Sequence, residues 1–353
     1  MKLLVTGGAG FIGSAVVRAA TQRGLSVVNV DRLAYSANLE NLESVADSPL
    51  YGFVQADIRD FGAMAAVFAR CQPDAVLHLA AESHVDRSID GPMEFVQTNV
   101  VGTAVLLEAA RAYFDSLAAS RRDRFRFVHI STDEVFGALG ADGRFDEASR
   151  YDPSSPYSAS KAASDHLARA WGRTFGLPVI VTSACNNYGP YQFPEKLIPV
   201  VILSAIEGRP IPLYGDGAHV RDWLHVEDHA EALLAVLENG RPGETYAVSG
   251  ETEASNRDLV MRLCAHLDAL RPRSAGPHAG LIQTVADRPG HDFRYALDAA
   301  KLRGETGWAP RIDLDAGLER TARWYLDNPG WWGRIRERGF SDGRLGLAAA
   351  AAE

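Results

Sequence analysis

Residues 2–14, KLLVTGGAGFIGS, decide the fold of this chain. The apolar run that ends at Val5 predicts a buried β-strand, and Gly7, Gly10 and Gly13 follow it at Gly-x-x-Gly-x-x-Gly spacing before a helix-like segment. In that context glycines permit a tight turn and let backbone N–H groups approach a pyrophosphate closely. The stretch therefore predicts a dinucleotide-binding turn, which also includes Phe11 and Ile12.

The ends of the next predicted strands indicate which dinucleotide binds. Asp31 closes the second strand, where a carboxylate accepts hydrogen bonds from the adenosine ribose and repels a 2′-phosphate, which favours NAD over NADP. Arg32 leaves the second interpretation open, because a guanidinium can meet that phosphate as well as stack on adenine. The remaining residues predicted here to contact the cofactor are Leu33, Asp57, Ile58, Leu79, Ala80 and Ala81.

Short runs rich in Val, Ile and Leu alternate with helix-like segments through the first half of the chain. We predict strands over 2–6, 26–30, 52–55, 75–79, 125–130 and 178–182. Continuous apolarity, as opposed to alternation, is typical of strands that are covered on both faces. The fold class is therefore predicted to be α/β, with a doubly wound parallel Rossmann sheet.

The pattern changes after about residue 183, where prolines become frequent and the elements shorten. We predict an NAD-binding Rossmann domain over 1–183 and a smaller α/β substrate lobe over 184–335, interleaved with the first, with a late amphipathic helix at 314–325. The segment 341–353 ends in an alanine run that has little to pack against, so we expect a frayed tail.

Bulk properties limit the partners. The formal net charge is −9 and no basic stripe is present, which argues against nucleic acid as a partner. No apolar stretch approaches the roughly 20 residues of a membrane helix, and the first residues leave no room for a secretory leader. The three cysteines form no even framework, so we expect a reducing cytoplasm.

A cluster of proton-handling residues predicts chemistry beyond cofactor binding. Thr132, Asp133 and Glu134 follow the strand predicted at 125–130, and Tyr157 and Lys161 lie four apart, on one face of a helix. An ammonium beside a phenol favours the phenolate, so we expect the Tyr157 pKa to fall and the residue to act as a base. Two adjacent carboxyls can supply an acid and a base if their surroundings separate their pKa values.

Several blocks together identify the chain as similar to the dTDP-glucose 4,6-dehydratases, a family within the extended short-chain dehydrogenase/reductases. The resemblance spans about residues 1–335 and rests on TGGAGFIGS (6–14), LAAESHVDRSI (79–89), STDEVFG (131–137), PYSASKAASD (156–165), NNYGPYQFPEKLIP (186–199), GDGAHVRDWLHVEDH (215–229) and DRPGHDFRYA (287–296).

The resemblance implies the conversion of dTDP-glucose to dTDP-4-keto-6-deoxyglucose. NAD takes the C4 hydride, water is eliminated across C5 and C6, and the hydride returns to C6. Tyr157 would deprotonate the C4 hydroxyl, Glu134 would remove the C5 proton and Asp133 would protonate the departing C6 hydroxyl. Thr132 would contact the C4 oxygen, and Lys161 would contact Tyr157 and the ribose.

The resemblance also implies the remaining site residues. Near NAD it places Thr98 and Asn187; around the sugar nucleotide it places Ser83, Asn186, Lys196, Leu197, Pro212, Tyr214, Arg221, Asn256, Asp287, Arg288 and His291. Among these, the cationic side chains are the expected diphosphate partners in an acidic protein. The chain departs from the usual pattern at Phe136, Cys185, Gln192 and His225, which leaves base and sugar preference open.

Other interpretations remain. A sugar-nucleotide 4-epimerase also oxidises C4 but needs no acid–base pair for C5 and O6, and a non-catalytic dinucleotide sensor could use the same fold. His225 and His229 have a metal-ligand spacing, yet no third ligand is placed, so we predict no metal site. Apolar residues on the helices predicted at 94–114 and 158–175, together with the resemblance, predict a homodimer.

Overall fold

A computed structural model of the chain describes residues 1–287 and 290–339. The strands lie where Val, Ile and Leu are concentrated. They are β1 (Lys2–Thr6), β2 (Ser26–Asp31), β3 (Tyr51–Gln55), β4 (Ala75–His78), β5 (Arg126–Thr132), β6 (Val179–Ala184), β7 (Asn186–Tyr188), β8 (Ile211–Tyr214), β9 (Val220–His225), β10 (Thr245–Val248), β11 (Glu253–Ser255) and β12 (Ile282–Val285).

The α-helices are α1 (Phe11–Gln22), α2 (Phe61–Cys71), α3 (Val85–Asp90), α4 (Pro92–Phe95), α5 (Thr103–Ser116), α6 (Ala119–Arg122), α7 (Pro156–Phe175), α8 (Leu197–Ile206), α9 (Val226–Asn239), α10 (Asn256–Leu270), α11 (Ala300–Thr306), α12 (Leu314–Asp327) and α13 (Pro329–Glu337). A π-helical segment, Val96–Gly102, joins α4 to α5, and 3-10 segments occupy Leu39–Val45, Asp133–Phe136 and His278–Leu281.

The central sheet has seven strands in the order β10-β6-β5-β4-β1-β2-β3, and each neighbouring pair is parallel. Side chains alternate between its faces, so Leu3 and Val5 enter one apolar cluster and Leu4 enters the other. Both faces are covered by helices, as the continuous apolarity predicts. The predicted doubly wound parallel α/β fold is confirmed.

The predicted helix over 158–175 corresponds to α7, whose ends follow from local sequence. Ser155 and Ser158 form a reciprocal capping box, Pro156 occupies the first turn, and Gly176 ends the helix in the left-handed conformation at φ 71°. These signals fix where α7 starts and thereby place Tyr157 in its first turn, facing the carboxyl end of β5.

The second half of the chain forms a smaller unit that rests on the carboxyl edge of the sheet. It contains a three-stranded sheet, β11-β9-β7, the parallel pair β12-β8 and an apolar cluster built largely on α8, α10 and α12. Strand β10 returns to the central sheet beside β6, so the chain crosses between the two units. The division at residue 183 stays a prediction.

No helix within the described residues is long and apolar enough to cross a membrane. The tail predicted at 341–353 lies outside the described residues.

Candidate active site

The glycine turn after β1 tolerates no side chain at two positions. A Cβ on Gly13 would lie 2.1 Å from the Gly7 carbonyl oxygen, and a Cβ on Gly7, at φ 73°, would lie 2.7 Å from the Ala80 Cα. Helix α1 begins at Phe11 with no side-chain cap, so its first N–H groups remain free to meet an anion. The turn therefore presents bare backbone to the cavity, as a pyrophosphate requires.

Asp31 lies at the carboxyl end of β2 with its carboxylate held in place. The carboxylate accepts hydrogen bonds from the backbone N–H of Ala9 at 3.0 Å and of Leu33 at 2.8 Å. Burial raises the pKa of Asp31, while these two hydrogen bonds oppose the rise. The geometry fits a ribose-binding carboxylate.

A single cavity of about 340 Å³ joins the glycine turn to the proton-handling residues. From the predicted cofactor set it is lined by Gly7, Gly10, Phe11, Ile12, Gly13, Asp31, Arg32, Asp57, Ile58, Leu79, Ala80, Ala81, Thr98 and Asn187. The predicted catalytic residues Thr132, Asp133, Glu134, Tyr157 and Lys161 line it as well, and so do Ser83, Asn186, Lys196 and Leu197 from the predicted substrate set.

Other predicted residues lie elsewhere. Leu33 lines the adjoining cavity beside Tyr35, and Pro212, Tyr214, Arg221, Asn256, Asp287 and His291 belong to the smaller unit and are outside the lining of the main cavity. Arg288 falls outside the described residues. The roles of all these residues stay predictions.

The two adjacent carboxyls differ in burial. Asp133 is 2% exposed, and its Oδ2 atom has no hydrogen-bond partner among the described residues, whereas Glu134 is half-buried. Burial raises the pKa of Asp133 well above its ordinary value, and the charges of Glu134 and Asp222 raise it further. The surroundings of Asp133 therefore favour its protonated form.

Tyr157 stands beside this pair with a pKa that differs from the expectation. Burial raises the pKa of the Tyr157 phenol well above its ordinary value, and the charge of Glu134 adds to the rise. The Lys161 ammonium donates its hydrogen bond to the Ile130 carbonyl oxygen, at 2.8 Å. The expected lowering of the Tyr157 pKa by Lys161 is therefore wrong, because desolvation of the phenol outweighs the ammonium charge.

A buried network lies behind Lys161. Asp165, one turn further along α7, accepts hydrogen bonds from the Ser131 hydroxyl at 2.7 Å and the Tyr151 hydroxyl at 2.8 Å, and contacts His129 Nε2 at 3.0 Å. Burial lowers the pKa of Lys161, and the Asp165 charge opposes that shift. Asp165 thus supports the ammonium electrostatically.

In the smaller unit, His219, Asp287 and His291 lie close enough to share a metal ion. The two imidazole rings stack at 3.7 Å between centroids, and His291 Nδ1 lies 2.7 Å from the Asp287 carboxylate. His219 has no spacing in the sequence that predicts a metal ligand. His225 and His229, which do have such a spacing, make different contacts: His225 caps α9, and His229 Nδ1 bonds the Asn187 side chain at 2.9 Å.

Sequence reasoning missed several polar residues that line the cavity. Glu82, Glu195, Trp223 and His229 are buried or nearly so and lie within blocks that carried the resemblance, but no local pattern distinguishes them from structural residues. Trp223 Nε1 and His229 Nε2 have no hydrogen-bond partner among the described residues. Such atoms are candidates for contact with a ligand, because buried polar groups are normally paired.

Comparisons with known proteins agree with this geometry. The family model described as GDP-mannose 4,6 dehydratase matches residues 4–321. A dTDP-glucose 4,6-dehydratase of Neisseria meningitidis serogroup B is 56% identical over 98% of this chain and 99% of its own length.

Solved structures agree as well. The dTDP-glucose 4,6-dehydratase of Streptomyces venezuelae, solved with NAD bound, has a TM-score of 0.86 at 46% identity over 95% of this chain and 100% of that one. A UDP-glucose 4-epimerase of Thermus thermophilus with NAD reaches a TM-score of 0.81 at 30% identity over 93% of this chain and 100% of that one. The fold alone does not separate the two reactions.

Proposed function

Because the chain belongs to the dTDP-glucose 4,6-dehydratase family, we infer that it removes water from dTDP-glucose to give dTDP-4-keto-6-deoxyglucose, with NAD as its cofactor. The observation that carries the reaction type is the pair Asp133 and Glu134 in one cavity with Tyr157 and the glycine turn. An epimerase that only oxidises and reduces C4 has no use for an acid and a base at neighbouring carbons.

The cavity fits NAD on the chain's own geometry. Gly7 and Gly13 leave backbone room that a Cβ would fill, the first N–H groups of α1 are uncapped, and the Asp31 carboxylate stands at the end of β2. Bound NAD supplies a hydride acceptor for C4 and then a hydride donor for C6, and the positive charge of its oxidised ring favours the Tyr157 phenolate.

The chain's own residues then divide the proton transfers. Tyr157 accepts the proton of the C4 hydroxyl, and Thr132 holds the C4 oxygen. Oxidation at C4 acidifies the C5–H bond, so Glu134 can remove that proton. Asp133, whose pKa is raised by burial, donates its proton to the C6 hydroxyl as it leaves. The difference in burial between the two carboxyls supports Asp133 as the acid and Glu134 as the base.

Two cations are candidate partners of the diphosphate, Lys196 in the lining of the cavity and Arg221 outside it. Lys196 lines it and donates to the Ser83 carbonyl oxygen at 3.0 Å, which holds the ammonium near the cavity wall. Arg221 is buried, bonds the carbonyl oxygens of Val220, Phe293 and Asp292, and lies near enough to Asp133 to oppose its pKa rise. We propose both as phosphate partners, with Arg221 acting mainly through its charge.

Three variants test the assignment with dTDP-glucose in deuterated buffer. Glu134→Gln should still pass hydride to NAD and should accumulate enzyme-bound NADH without elimination. Asp133→Asn should still exchange the C5 hydrogen, while loss of the C6 hydroxyl slows by roughly 10²–10⁴. Tyr157→Phe should abolish both steps, and Glu319→Gln, whose partner is Arg323 on the exposed face of α12, should behave like the unaltered chain.

Three results would contradict the proposal. Fast C5 exchange in Glu134→Gln with none in Asp133→Asn would reverse the two roles. Unchanged dehydration in both carboxyl variants would show that neither residue carries a proton transfer. Release of NADH in step with product would exclude a dehydratase that recycles its NAD.

We also propose that two copies of the chain form a homodimer. Large apolar side chains are exposed on the α3–α5 segment at Ile89, Met93, Val96 and Val101, and Phe175 is exposed at the end of α7. Clustered apolar surface of this kind marks protein interfaces. Light scattering should give about twice 38.2 kDa, and a monomer at micromolar concentration would contradict the proposal.

We place the protein in the cytoplasm, since its three cysteines, all buried, carry no disulfide in the structure and would suit a reducing compartment. Cell fractionation of the tagged full chain tests this placement.

A further inference from the structure

Arg32, which follows the ribose-binding Asp31, is held by carboxylates on both sides. Its Nη2 lies 2.5 Å from Glu82 Oε1 and its Nη1 lies 2.9 Å from Glu94 Oε1. Burial works against the Arg32 charge, but hydrogen bonds and charges from Glu94 and Glu82 raise its pKa. The guanidinium is therefore engaged before any cofactor phosphate approaches.

The two glutamates are held in different ways. Glu82 is buried, and its backbone is fixed by Asn99, which accepts from the Glu82 N–H at 2.8 Å and donates to the Glu82 carbonyl oxygen at 2.9 Å. The Glu94 carboxylate accepts further hydrogen bonds from Arg59 at 3.3 Å and from the Thr98 hydroxyl at 3.3 Å. Burial of one partner and the additional hydrogen bonds of the other keep both carboxylates beside Arg32.

The local charge balance is negative. Asp31, Asp57, Glu82 and Glu94 carry four formal negative charges, against two positive charges on Arg32 and Arg59, and Arg59 already pairs with Asp57 at 2.7 Å. Four minus two leaves an excess of two negative charges among these residues, and Arg87, whose charge also acts on Glu82, reduces the excess to one. A 2′-phosphate brings about two more negative charges there, with no uncommitted cation among these residues to receive them.

We propose that Glu82 and Glu94 are cofactor-specificity residues that hold Arg32 in ion pairs and thereby stop it from accepting the 2′-phosphate of NADP. The inference rests on the proposed function, since it concerns the cofactor of that reaction. The sequence leaves two roles open for Arg32, binding a 2′-phosphate or stacking on adenine. The proposal excludes the first, because the two glutamates hold the guanidinium in ion pairs beside the ribose.

The test compares the dissociation constants of NAD and NADP, measured by calorimetry on the full chain. Removing both carboxylates in Glu82→Gln/Glu94→Gln should release Arg32 from its two hydrogen-bonded carboxylates and leave only the longer contact with Asp57, at 3.7 Å. NADP binding should then tighten by about tenfold or more, as one charge-assisted hydrogen bond implies, with NAD binding little changed. Glu94→Gln alone should give a smaller gain, because Glu82 still holds the guanidinium.

Adding Arg32→Ala to the double variant should abolish the gain in NADP affinity. The gain depends on the released arginine and does not follow from the loss of negative charge alone. The matched control, Glu319→Gln/Glu231→Gln, removes two carboxylates that pair with Arg323 and Arg23 on the surface and should leave both constants unchanged. Thermal melting of each variant shows whether it is folded.

An unchanged NADP constant in the folded double variant, or a gain that survives Arg32→Ala, would overturn the inference while NAD-dependent dehydration stands. Failure of the unaltered chain to bind NAD would instead overturn the proposed function. The two failures are thus distinguishable.

Discussion

Two buried histidines should make the protein lose stability in mild acid. His229 is fully buried, and burial lowers its pKa to about 3; His225 is 1% exposed, and burial lowers its pKa to about 4. The Nε2 atoms of both rings lack a hydrogen-bond partner among the described residues. Protonation would place a charge in a desolvated site, which the charges of Glu227 and Asp228 offset only in part for His225. Burial therefore disfavours the charged form of both rings.

The direction follows from linkage. Both folded-state pKa values lie below the unfolded value of about 6.5, so the unfolded chain binds more protons below that pH. The contribution of these two histidines to stability is therefore present above about pH 6.5 and is lost as the pH falls towards their folded-state pKa values. Between pH 8 and pH 5 each histidine should cost about 2 kcal/mol of unfolding free energy, or about 4 kcal/mol for the pair.

Urea unfolding at the two pH values measures this cost. His229→Gln removes one ring, and His225→Asn removes the other while it keeps a side chain that can cap α9. Each variant should lose about 2 kcal/mol less than the unaltered chain between pH 8 and pH 5. The exposed His166, replaced by Gln, is the matched control. If both buried-site variants kept the full pH dependence of the unaltered chain, the reasoning would be refuted.

Three further outcomes follow from contacts described above. Gly13→Ala should abolish NAD binding, measured by calorimetry, because its Cβ would lie 2.1 Å from the Gly7 carbonyl oxygen; retained affinity would contradict the close approach. Asp165→Asn should lower the unfolding free energy by about 3 kcal/mol, since it breaks a fully buried hydrogen-bonded charge, and urea midpoints equal to those of the unaltered chain would exclude that role. Cys185→Ser should keep kcat within a few-fold, because no proton transfer is assigned to the thiol, and a loss of tenfold or more would assign it one.

The parts of the fold that local sequence predicts are those with a local cause. Continuous apolar runs place β1 to β6 within one or two residues of the observed strands, because a strand covered on both faces needs such a run. The glycine turn is also predicted from local sequence, because the glycine spacing between a strand and a helix requires close backbone contact. Helix α12 begins at the predicted residue, Leu314, where Asp313 caps it.

Long-range pairing is what local sequence does not contain. Strand β10 is four residues long and joins the central sheet only because β6 offers an edge there. The helix predicted over 94–114 is interrupted by the π-helical segment Val96–Gly102. That segment places Asn99 where its amide bonds both the Glu82 carbonyl oxygen and the Ser160 hydroxyl, contacts between elements that no periodicity records.

In the candidate site, the sequence predicts which residues come together but not the protonation states that their surroundings impose. Residue types and spacing suffice to bring Asp133, Glu134 and Tyr157 to one strand end, but protonation depends on burial and on neighbouring charges. Tyr157 and Lys161 share a helix face as predicted, yet the phenol is desolvated and the ammonium binds the Ile130 carbonyl, so the pKa moves opposite to the expectation. Asp133 and Glu134 are neighbours in sequence, yet only Asp133 is fully buried beside Asp222. Three-dimensional packing, and not the order of the two residues in the sequence, gives the two carboxyls different surroundings. Any substitution that admits water to Asp133 should therefore lower its pKa and leave less of it protonated to act as the acid, without changing Glu134 as the base.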